Sequence, residues 1–497
     1  MTSSAGPTAS SKTRDNRHLL DGTLWVFGAE ALIVPVGLII TGLLTRRLGP
    51  ANYGIFVLAF TLISGLEWTI TSLYGRATFK LVAEATDWRP LGATILRLHL
   101  WTGCAMALLL AILARPIAHL LTEPALTSYL RWLALDIPLF GAALAHRNIL
   151  IGLGHFRQRA FATIGRWVTR LVLTLTLVVG GFGIMGAVYG CLGASLVELL
   201  INRCCVRPSW RGSSFPARQF LEFAVPLLLF GLSMQLFDKT DLFFLKAMGA
   251  SAEQAGYYGA ARNLALAPAI FALAFTPLLL STLSRLLREE KIEEARYVSA
   301  QSLRLIFGSL ILCGLVAGCA TDIVRLFFGV HFLAAGPLLA WLFAGASFLA
   351  IFAIVSTILT AKGQLLYPLL LSVPLLLLSS LAYIGVIPRY GSIGAAIVTF
   401  ASSALVAVAS LIVLQRLWPL ALPWKTLLRS VLIAALLCYV ASILPSGSWW
   451  PILKLPLMGV AAVLSVVICG EVPLSELLAW YTKFKGDKSS APGQSTV

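Results

Sequence analysis

The sequence predicts an all-α polytopic membrane protein with about 14 transmembrane helices, arranged as two parallel six-helix repeats plus an extra helix pair. Three observations predict this fold: the composition of the chain, a succession of apolar runs of helix length, and two motifs that each recur about 200 residues later. Together they indicate a chain that lies mostly in hydrocarbon and whose two halves derive from one unit.

The composition is far too apolar for a protein that is surrounded by water. Of the 497 residues, 58% are hydrophobic and 12% are charged, and the mean hydropathy is +0.87. Globular proteins are about 45–50% apolar, with about 25% charged residues. A membrane-spanning helix needs about 20 mostly apolar residues, and this chain supplies that length many times.

The apolar runs follow a polar N-terminus that shows no cleavable signal pattern. Residues 284–304 carry mixed charges at helical spacing, which predicts a solvated cytoplasmic helix. The predicted transmembrane helices lie at approximately 22–45, 54–75, 92–114, 126–146, 158–180, 184–204, 220–246, 257–284, 300–320, 333–361, 366–387, 391–414, 426–444 and 452–470.

Two motifs recur in the same order. Residues 45–54, TRRLGPANYG, give a basic residue, a glycine, a short polar segment and Tyr-Gly, and residues 246–259, KAMGASAEQAGYYG, repeat that order with a longer turn. Residues 181–190, GFGIMGAVYG, resemble residues 389–398, RYGSIGAAIV. Six helices separate equivalent positions, so the predicted repeats have the same orientation and are related by an axis along the membrane normal.

The repeats and the flanking polar segments predict the domain organisation. We expect a cytoplasmic polar N-terminus, an N-terminal six-helix bundle, a C-terminal six-helix bundle, a pair of helices numbered 13 and 14, and a cytoplasmic interfacial helix with a disordered tail. In that order they occupy residues 1–18, 19–210, 211–418, 419–471 and 472–497.

The basic residues predict the orientation. Formal net charge is +17, and most Lys and Arg residues lie on the side of the predicted helices that also holds the N-terminus. Cytoplasmic loops are enriched in Lys and Arg, so both termini are expected in the cytoplasm of a bacterial-type cytoplasmic (inner) membrane. The positive charge then faces lipid head groups, and nucleic acid is not an expected partner.

Nothing in the sequence indicates an enzyme. The eight cysteines and six histidines show no metal-ligand spacing, and no GxxxxGK[ST] phosphate loop occurs. We therefore expect no catalytic residue, no metal and no cofactor. A glycosyltransferase or ligase would also need a larger extramembrane domain than the short loops here provide.

The most specific functional signal is a pair of arginines in predicted helix 5. Arg166 and Arg170 are four residues apart, so they share a helix face and repel each other. A hydrated cavity that holds an anion explains both, because the guanidinium fork matches phosphate oxygens. The alternative is structural: Asp136 pairs with Arg170, and Arg166 lies near the cytoplasmic interface.

Other ionisable residues inside apolar runs are candidates for gating or ion coupling. They are Glu30 in helix 1, Asp136 in helix 4, and Asp238 and Asp241 in helix 7. Arg262 in helix 8 lies at a depth similar to that of Asp241, so it either forms a structural ion pair or contributes to substrate binding. Glu30 has no close partner in sequence, which leaves a gate or an interhelical hydrogen bond open.

Residues 45–60, TRRLGPANYGIFVLAF, resemble the R-x-L-G-P-x-x-Y-G-x-x-x-L-A motif at the first periplasmic turn of polysaccharide-biosynthesis membrane proteins. Residues 238–265 resemble the helix 7–8 region of the same family, and the similarity of pattern extends over about residues 20–470. These proteins are oligosaccharide-lipid flippases, including O-antigen and exopolysaccharide flippases, of the multidrug/oligosaccharidyl-lipid/polysaccharide exporter (MOP) superfamily.

The resemblance implies a function and a substrate site. Two bundles would flank a central cavity that opens to alternate sides and moves a lipid-linked oligosaccharide or polysaccharide precursor across the cytoplasmic membrane. Arg166, Arg170 and Arg262 would hold the pyrophosphate, and helices 13 and 14 would border a groove for the lipid tail. The implied partners are the lipid-linked oligosaccharide, membrane lipids, H⁺ or Na⁺ as a coupling ion, and a polysaccharide polymerase.

Three other functions stay open. A lipid II-type peptidoglycan precursor flippase also has fourteen helices, and a cation-coupled multidrug antiporter shares the superfamily fold with twelve helices and an acidic cavity. A non-transporting membrane scaffold for polysaccharide synthesis belongs to a different class. The arginine pair and the R-x-L-G-P-x-x-Y-G turn favour the polysaccharide flippase.

Overall fold

The structure, a computed structural model, is helical throughout its regular elements, and the residues that it describes contain no β strand. These residues are 25, 28–208, 216, 218, 220, 240–364, 366–420, 422–445 and 450–468. The chain divides into two compact units. The first comprises Met1–Asn263, Phe327–Phe332 and Ser380–Ala395, and the second comprises Leu264–Leu326, Leu333–Ser379 and Ala396–Val497.

Seven helices carry most of the first unit, and residues 240–247 add a further helical segment. A π-helical turn, Val178–Phe182, joins the fifth helix to the sixth. The helices are α1 Ile33–Glu84, α2 Arg89–Leu120, α3 Leu126–Ala134, α4 Asp136–Gly152, α5 Phe156–Leu177, α6 Gly183–Cys205 and α7 Ala252–Leu264.

The second unit has two apolar cores. One lies between α8, α9, α12 and the last part of α13, and the other joins α10 to α14 and α15. The helices are α8 Ala267–Arg288, α9 Ile292–Ser309, α10 Ile311–Gly318, α11 Ala320–Phe328, α12 Ala335–Ala361, α13 Leu366–Leu417, α14 Trp424–Ile443 and α15 Trp450–Ile468.

Nine helices of the described residues are long and apolar enough to cross a membrane. Three of them, at 28–84, 156–205 and 366–417, have 57, 50 and 52 residues, which is more than twice the length of one span. Each therefore corresponds to two predicted helices, and the nine account for twelve. Trp450–Ile468 adds another apolar helix, whereas predicted helix 7 lies mostly outside the described residues. The predicted all-α polytopic membrane fold is confirmed.

The breaks within the long helices support the predicted repeat. Gly183, at the start of α6, has φ 57° and ψ −135°, and Gly391, inside α13, has φ 58° and ψ −139°. These are the two glycines that align in the second recurring motif. A backbone with this positive φ strongly favours glycine, so both halves turn at equivalent positions for the same physical reason.

The helix boundaries differ from the prediction at two places. Predicted helix 8 is interrupted between α7 and α8, because Pro268 lacks a backbone N–H and starts a new helix at its second position. The mixed-charge segment 284–304 is not a separate helix. It contains the end of α8, a tight turn with Glu290 at φ 60°, and the start of α9.

The two copies of the first motif contact each other in the first unit. A Cβ atom on Gly54 would overlap the carbonyl oxygen of Ala252, and one on Gly256 would overlap the carbonyl oxygen of Pro50. Each glycine therefore meets the carbonyl four residues before the other glycine. Glycine at such crossings lets two helix backbones approach closely. The contact is reciprocal and is referred to below as the glycine crossing.

Candidate functional site

Helix α5 carries a row of arginines along one face. Arg159, Arg166 and Arg170 are separated by seven and four residues, which places them within about 40° of one another around the helix. At 1.5 Å per residue, Arg166 lies about 10 Å along the axis from Arg159, and Arg170 lies about 6 Å farther. The side chains of Arg159 and Arg166 are 19% and 13% exposed.

Small residues position α6 against this row. Gly190 of α6 lies against Thr174 of α5, and Gly165 of α5 lies against Ile201 of α6. A larger side chain at either glycine would push the helices apart. The close approach brings the fully buried carboxylate of Glu198 in α6 against the arginine row.

Glu198 neutralises Arg166. Its two carboxylate oxygens accept hydrogen bonds from Arg166 at 2.9 Å and from Arg147 of α4 at 3.1 Å. The Arg166 guanidinium also lies 4.8 Å from the centre of the Phe140 ring. Arg166 is therefore held by α6 and α4, and its charge already has a partner.

Arg170 has a different environment. Its guanidinium lies 4.5 Å from the centre of the Phe60 ring and 5.6 Å from that of Trp167. Among the described residues, no carboxylate oxygen forms an ion pair with it within 4.0 Å. The side chain is half-buried. Arg170 thus presents a charged fork that aromatic rings position and that no direct counter-ion occupies.

Asp136 lies beside Glu67 of α1. The two carboxyl groups are within hydrogen-bonding reach of each other, and Arg166 and Arg170 act on Glu67 electrostatically. Asp136 is 3% exposed, and its Oδ1 atom has no hydrogen-bond partner. The alternative in which Asp136 pairs with Arg170 is not what the structure has, because Asp136 begins α4 next to α1.

Glu67 was not among the residues selected from the sequence. A carboxylate in the middle of the apolar run 54–75 is a signal of the same kind as Asp136, so the sequence contained the information. Three arginines and three carboxylates therefore share this part of the first unit, and we refer to them as the arginine–carboxylate cluster. Its members are Arg147, Arg166, Arg170, Glu67, Asp136 and Glu198.

The remaining sequence-selected residues lie in other contacts. Glu30 accepts a hydrogen bond from Arg159 at 2.9 Å, which supplies the partner that the local sequence did not reveal. Arg262 pairs with Asp241, whose other carboxylate oxygen accepts a 2.8 Å hydrogen bond from Tyr258. Asp238 lies outside the described residues. In the described part of the chain, no group of three or more His, Cys, Asp or Glu residues could hold a metal ion.

Solved structures of membrane transporters share this fold. The lipid II flippase MurJ, in an inward closed conformation, matches with a TM-score of 0.76 and 15% identity over 90% of this chain and 98% of that chain. An inward-facing MATE family multidrug transporter of the MOP superfamily matches with a TM-score of 0.66 and 17% identity, over 81% of this chain and 95% of that one. A Vibrio cholerae MATE transporter, VcmN, gives 0.57 and 17%, over 82% and 98%.

The fold therefore defines a polytopic membrane protein of the class that contains lipid flippases and multidrug transporters. Residues 43–337 match the sequence profile of a family described as polysaccharide biosynthesis protein. This match covers more than half of the chain, so the chain belongs to that family. The expectation of a flippase-type membrane transporter is confirmed at this level. No curated protein sequence matches the chain significantly.

Proposed function

We propose that the protein moves a lipid-linked oligosaccharide from the cytoplasmic to the outer leaflet of the cytoplasmic membrane by alternating access, with both termini in the cytoplasm. In this proposal the diphosphate that joins lipid to sugar binds at the arginine row of α5. The observation that carries the proposal is Arg170, a half-buried guanidinium that aromatic rings hold and no carboxylate pairs with directly.

The physical argument starts from the cost of moving the anion. A diphosphate that leaves water without replacement partners would carry a prohibitive desolvation cost. Arginine stays charged and donates two parallel hydrogen bonds to phosphate oxygens at about 2.7–2.9 Å, so it replaces part of the lost hydration shell. Phe60 and Trp167 reduce the freedom of the Arg170 side chain before the anion arrives, which lowers the ordering cost of binding.

The other arginines have secondary parts in this proposal. Arg159 and Arg166 are already paired with Glu30 and Glu198, so an anion that passes them must share or exchange those partners. Arg262 must likewise exchange Asp241 before it contributes. The row therefore guides the anion toward Arg170, and the carboxylates provide a competing partner that limits binding strength and allows release.

The test is reconstitution of the full chain in vesicles that contain a fluorescent lipid-linked diphosphate oligosaccharide. Arg170→Ala should lower the rate of translocation by about 10- to 100-fold, because one charge-assisted interaction contributes about 1.5–3 kcal/mol. Arg170→Lys should retain part of the activity, since a point charge lacks the fork. The matched control is Arg296→Ala, which removes an arginine whose ion pair with Glu293 is exposed.

A non-transporting scaffold is the outcome that would contradict the proposal. Wild-type protein that accumulates no substrate in the outer leaflet would indicate that function. Normal translocation by a well-folded Arg170→Ala variant would instead remove the proposed anion site. A substrate panel with a lipid II-type precursor and an organic cation distinguishes the other two members of the superfamily, because the multidrug antiporter would prefer the cation.

A further inference from the structure

The pair formed by Glu67 and Asp136 has a chemistry that the flippase proposal does not use. Two carboxyl groups lie within hydrogen-bonding reach of each other, and Asp136 is almost completely buried. An ionised carboxylate only accepts hydrogen bonds, so contact between two of them requires that one carries a proton. Like charges at such a separation do not both stay ionised unless a cation lies between them.

The surrounding groups leave no described cation between the two carboxyls. The charged groups that act on Glu67 are Arg166 and Arg170 of α5. Arg166 directs its hydrogen bond to Glu198, and Arg170 lies against Phe60 and Trp167. The thiol of Cys191 in α6 is the other titratable group that interacts with the pair and with both arginines. Asp136 Oδ1 remains buried without a partner.

We propose that the Glu67–Asp136 pair holds one exchangeable proton and that this proton is bound together with the anion at Arg170. The inference rests on the proposed function, because the anion is taken to be the diphosphate of the lipid-linked substrate. With one proton on the pair, the arginine–carboxylate cluster has three positive and two negative charges, so it carries a net positive charge. Without that proton the cluster is neutral, and a second carboxylate competes for Arg170.

The direction of the linkage follows from these charges. The protonated cluster attracts the anion more strongly than the deprotonated cluster does. By reciprocity, anion binding must increase the affinity of the pair for its proton. Loss of the proton then restores a carboxylate beside Arg170 and favours release of the anion. The proton and the diphosphate therefore occupy the protein at the same time and leave it together.

The first measurement is calorimetry of inorganic pyrophosphate binding to the purified full chain, in two buffers that differ in ionisation enthalpy. Wild type should take up about one more proton per pyrophosphate than Glu67→Gln, where the amide imitates the neutral acid. The difference between the two proteins removes the contribution of the ligand's own titration. Over the pH range in which the pair titrates, the wild-type affinity should change by up to about tenfold per pH unit relative to Glu67→Gln, rising as pH falls.

The second measurement detects the proton without any ligand. Infrared difference spectra should show the carbonyl stretch of a neutral carboxylic acid in wild type, and Glu67→Gln and Asp136→Asn should each lose it. Glu293→Gln is the matched control, because it replaces an exposed carboxylate of the second unit and should change neither measurement. Thermal unfolding of each variant establishes that it is folded.

The outcomes separate this inference from the proposed function. Equal proton uptake by wild type and Glu67→Gln would overturn the linkage and leave the anion site intact. Pyrophosphate affinity that is unchanged in Arg170→Ala would overturn the anion site and, with it, the linkage. In that case the infrared band still decides the remaining claim: its absence from wild type shows that the pair holds no proton, and its presence supports the protonated pair.

Discussion

The buried ion pair between Lys454 of α15 and Asp322 of α11 allows a quantitative test of how the extra helices are attached. The Lys454 Nζ and Asp322 Oδ2 atoms are 2.8 Å apart, and the two side chains are 3% and 1% exposed. Asp322→Asn would leave a buried ammonium group without a counter-ion. Removal of one partner of such a pair costs about 3–5 kcal/mol, so we expect a large loss of stability.

The second unit also contains the control. Arg296 and Glu293 form an ion pair of the same length, 2.8 Å, but their side chains are 42% and 84% exposed. Glu293→Gln should cost about 0–1 kcal/mol, because water already solvates both charges. A Lys454→Met/Asp322→Leu double variant should recover most of the stability lost by Asp322→Asn, since neither charge is then left alone.

The assay is unfolding of the detergent-purified protein, at one protein and detergent concentration for all variants. We expect Asp322→Asn to unfold at a clearly lower temperature or denaturant concentration than wild type, and the double variant to lie between them or above wild type. If Asp322→Asn is no more destabilising than Glu293→Gln, the pair is hydrated and the reasoning from burial is refuted.

Two further predictions concern the packing and the topology. Gly54→Ala should lower the stability of the folded protein, because its Cβ would overlap the Ala252 carbonyl; Gly65→Ala in the same helix is the control, since open space surrounds that position, and equal stability of the two variants would contradict the glycine crossing. Reporter domains fused after about residue 215 and after about residue 488 should both report the cytoplasm, as the distribution of Lys and Arg predicts. A periplasmic signal from either fusion would contradict the predicted number of helices between them or their orientation.

The helices were predictable because their signals are local. The length of an apolar run and the position of a glycine or proline are read directly from the chain, and the breaks at Gly49 and Gly391 lie where the recurring motifs predict them. The interruption before Pro268 follows from the same chemistry but was hidden by the continuous hydrophobicity around it. The boundaries 1–18, 19–210, 211–418, 419–471 and 472–497 stay a prediction.

The partners of the charged residues were less predictable, because packing selects them across long stretches of chain. Glu198 accepts hydrogen bonds from Arg147 and Arg166, which lie 51 and 32 residues away. Several carboxylates were available to each arginine, and the spacing of residues along the chain does not choose among them. Which helices face each other depends on small residues such as Gly190, whose effect appears only when the neighbouring helix is known.

Some buried charges were missed for a simpler reason. Lys246 donates to Glu123 at 2.8 Å and to the Ala250 carbonyl at 2.9 Å, although the side chain is 2% exposed. A lysine near a helix end can also extend its head group to the membrane interface, so sequence alone favoured an exposed position. Lys454 was overlooked on the same grounds.

The reciprocity of the glycine crossing bears on how the chain evolved. Gly54 faces the carbonyl of Ala252, and Gly256 faces the carbonyl of Pro50, so each motif copy supplies the same two elements to the other. Two-fold homodimers have this property, because one surface patch meets an identical patch. The crossing is the arrangement that remains when the gene for a two-fold dimer is duplicated and fused. A single ancestral unit would then have associated with its own copy through the equivalent glycine, and the present chain keeps that dimer contact as an internal one.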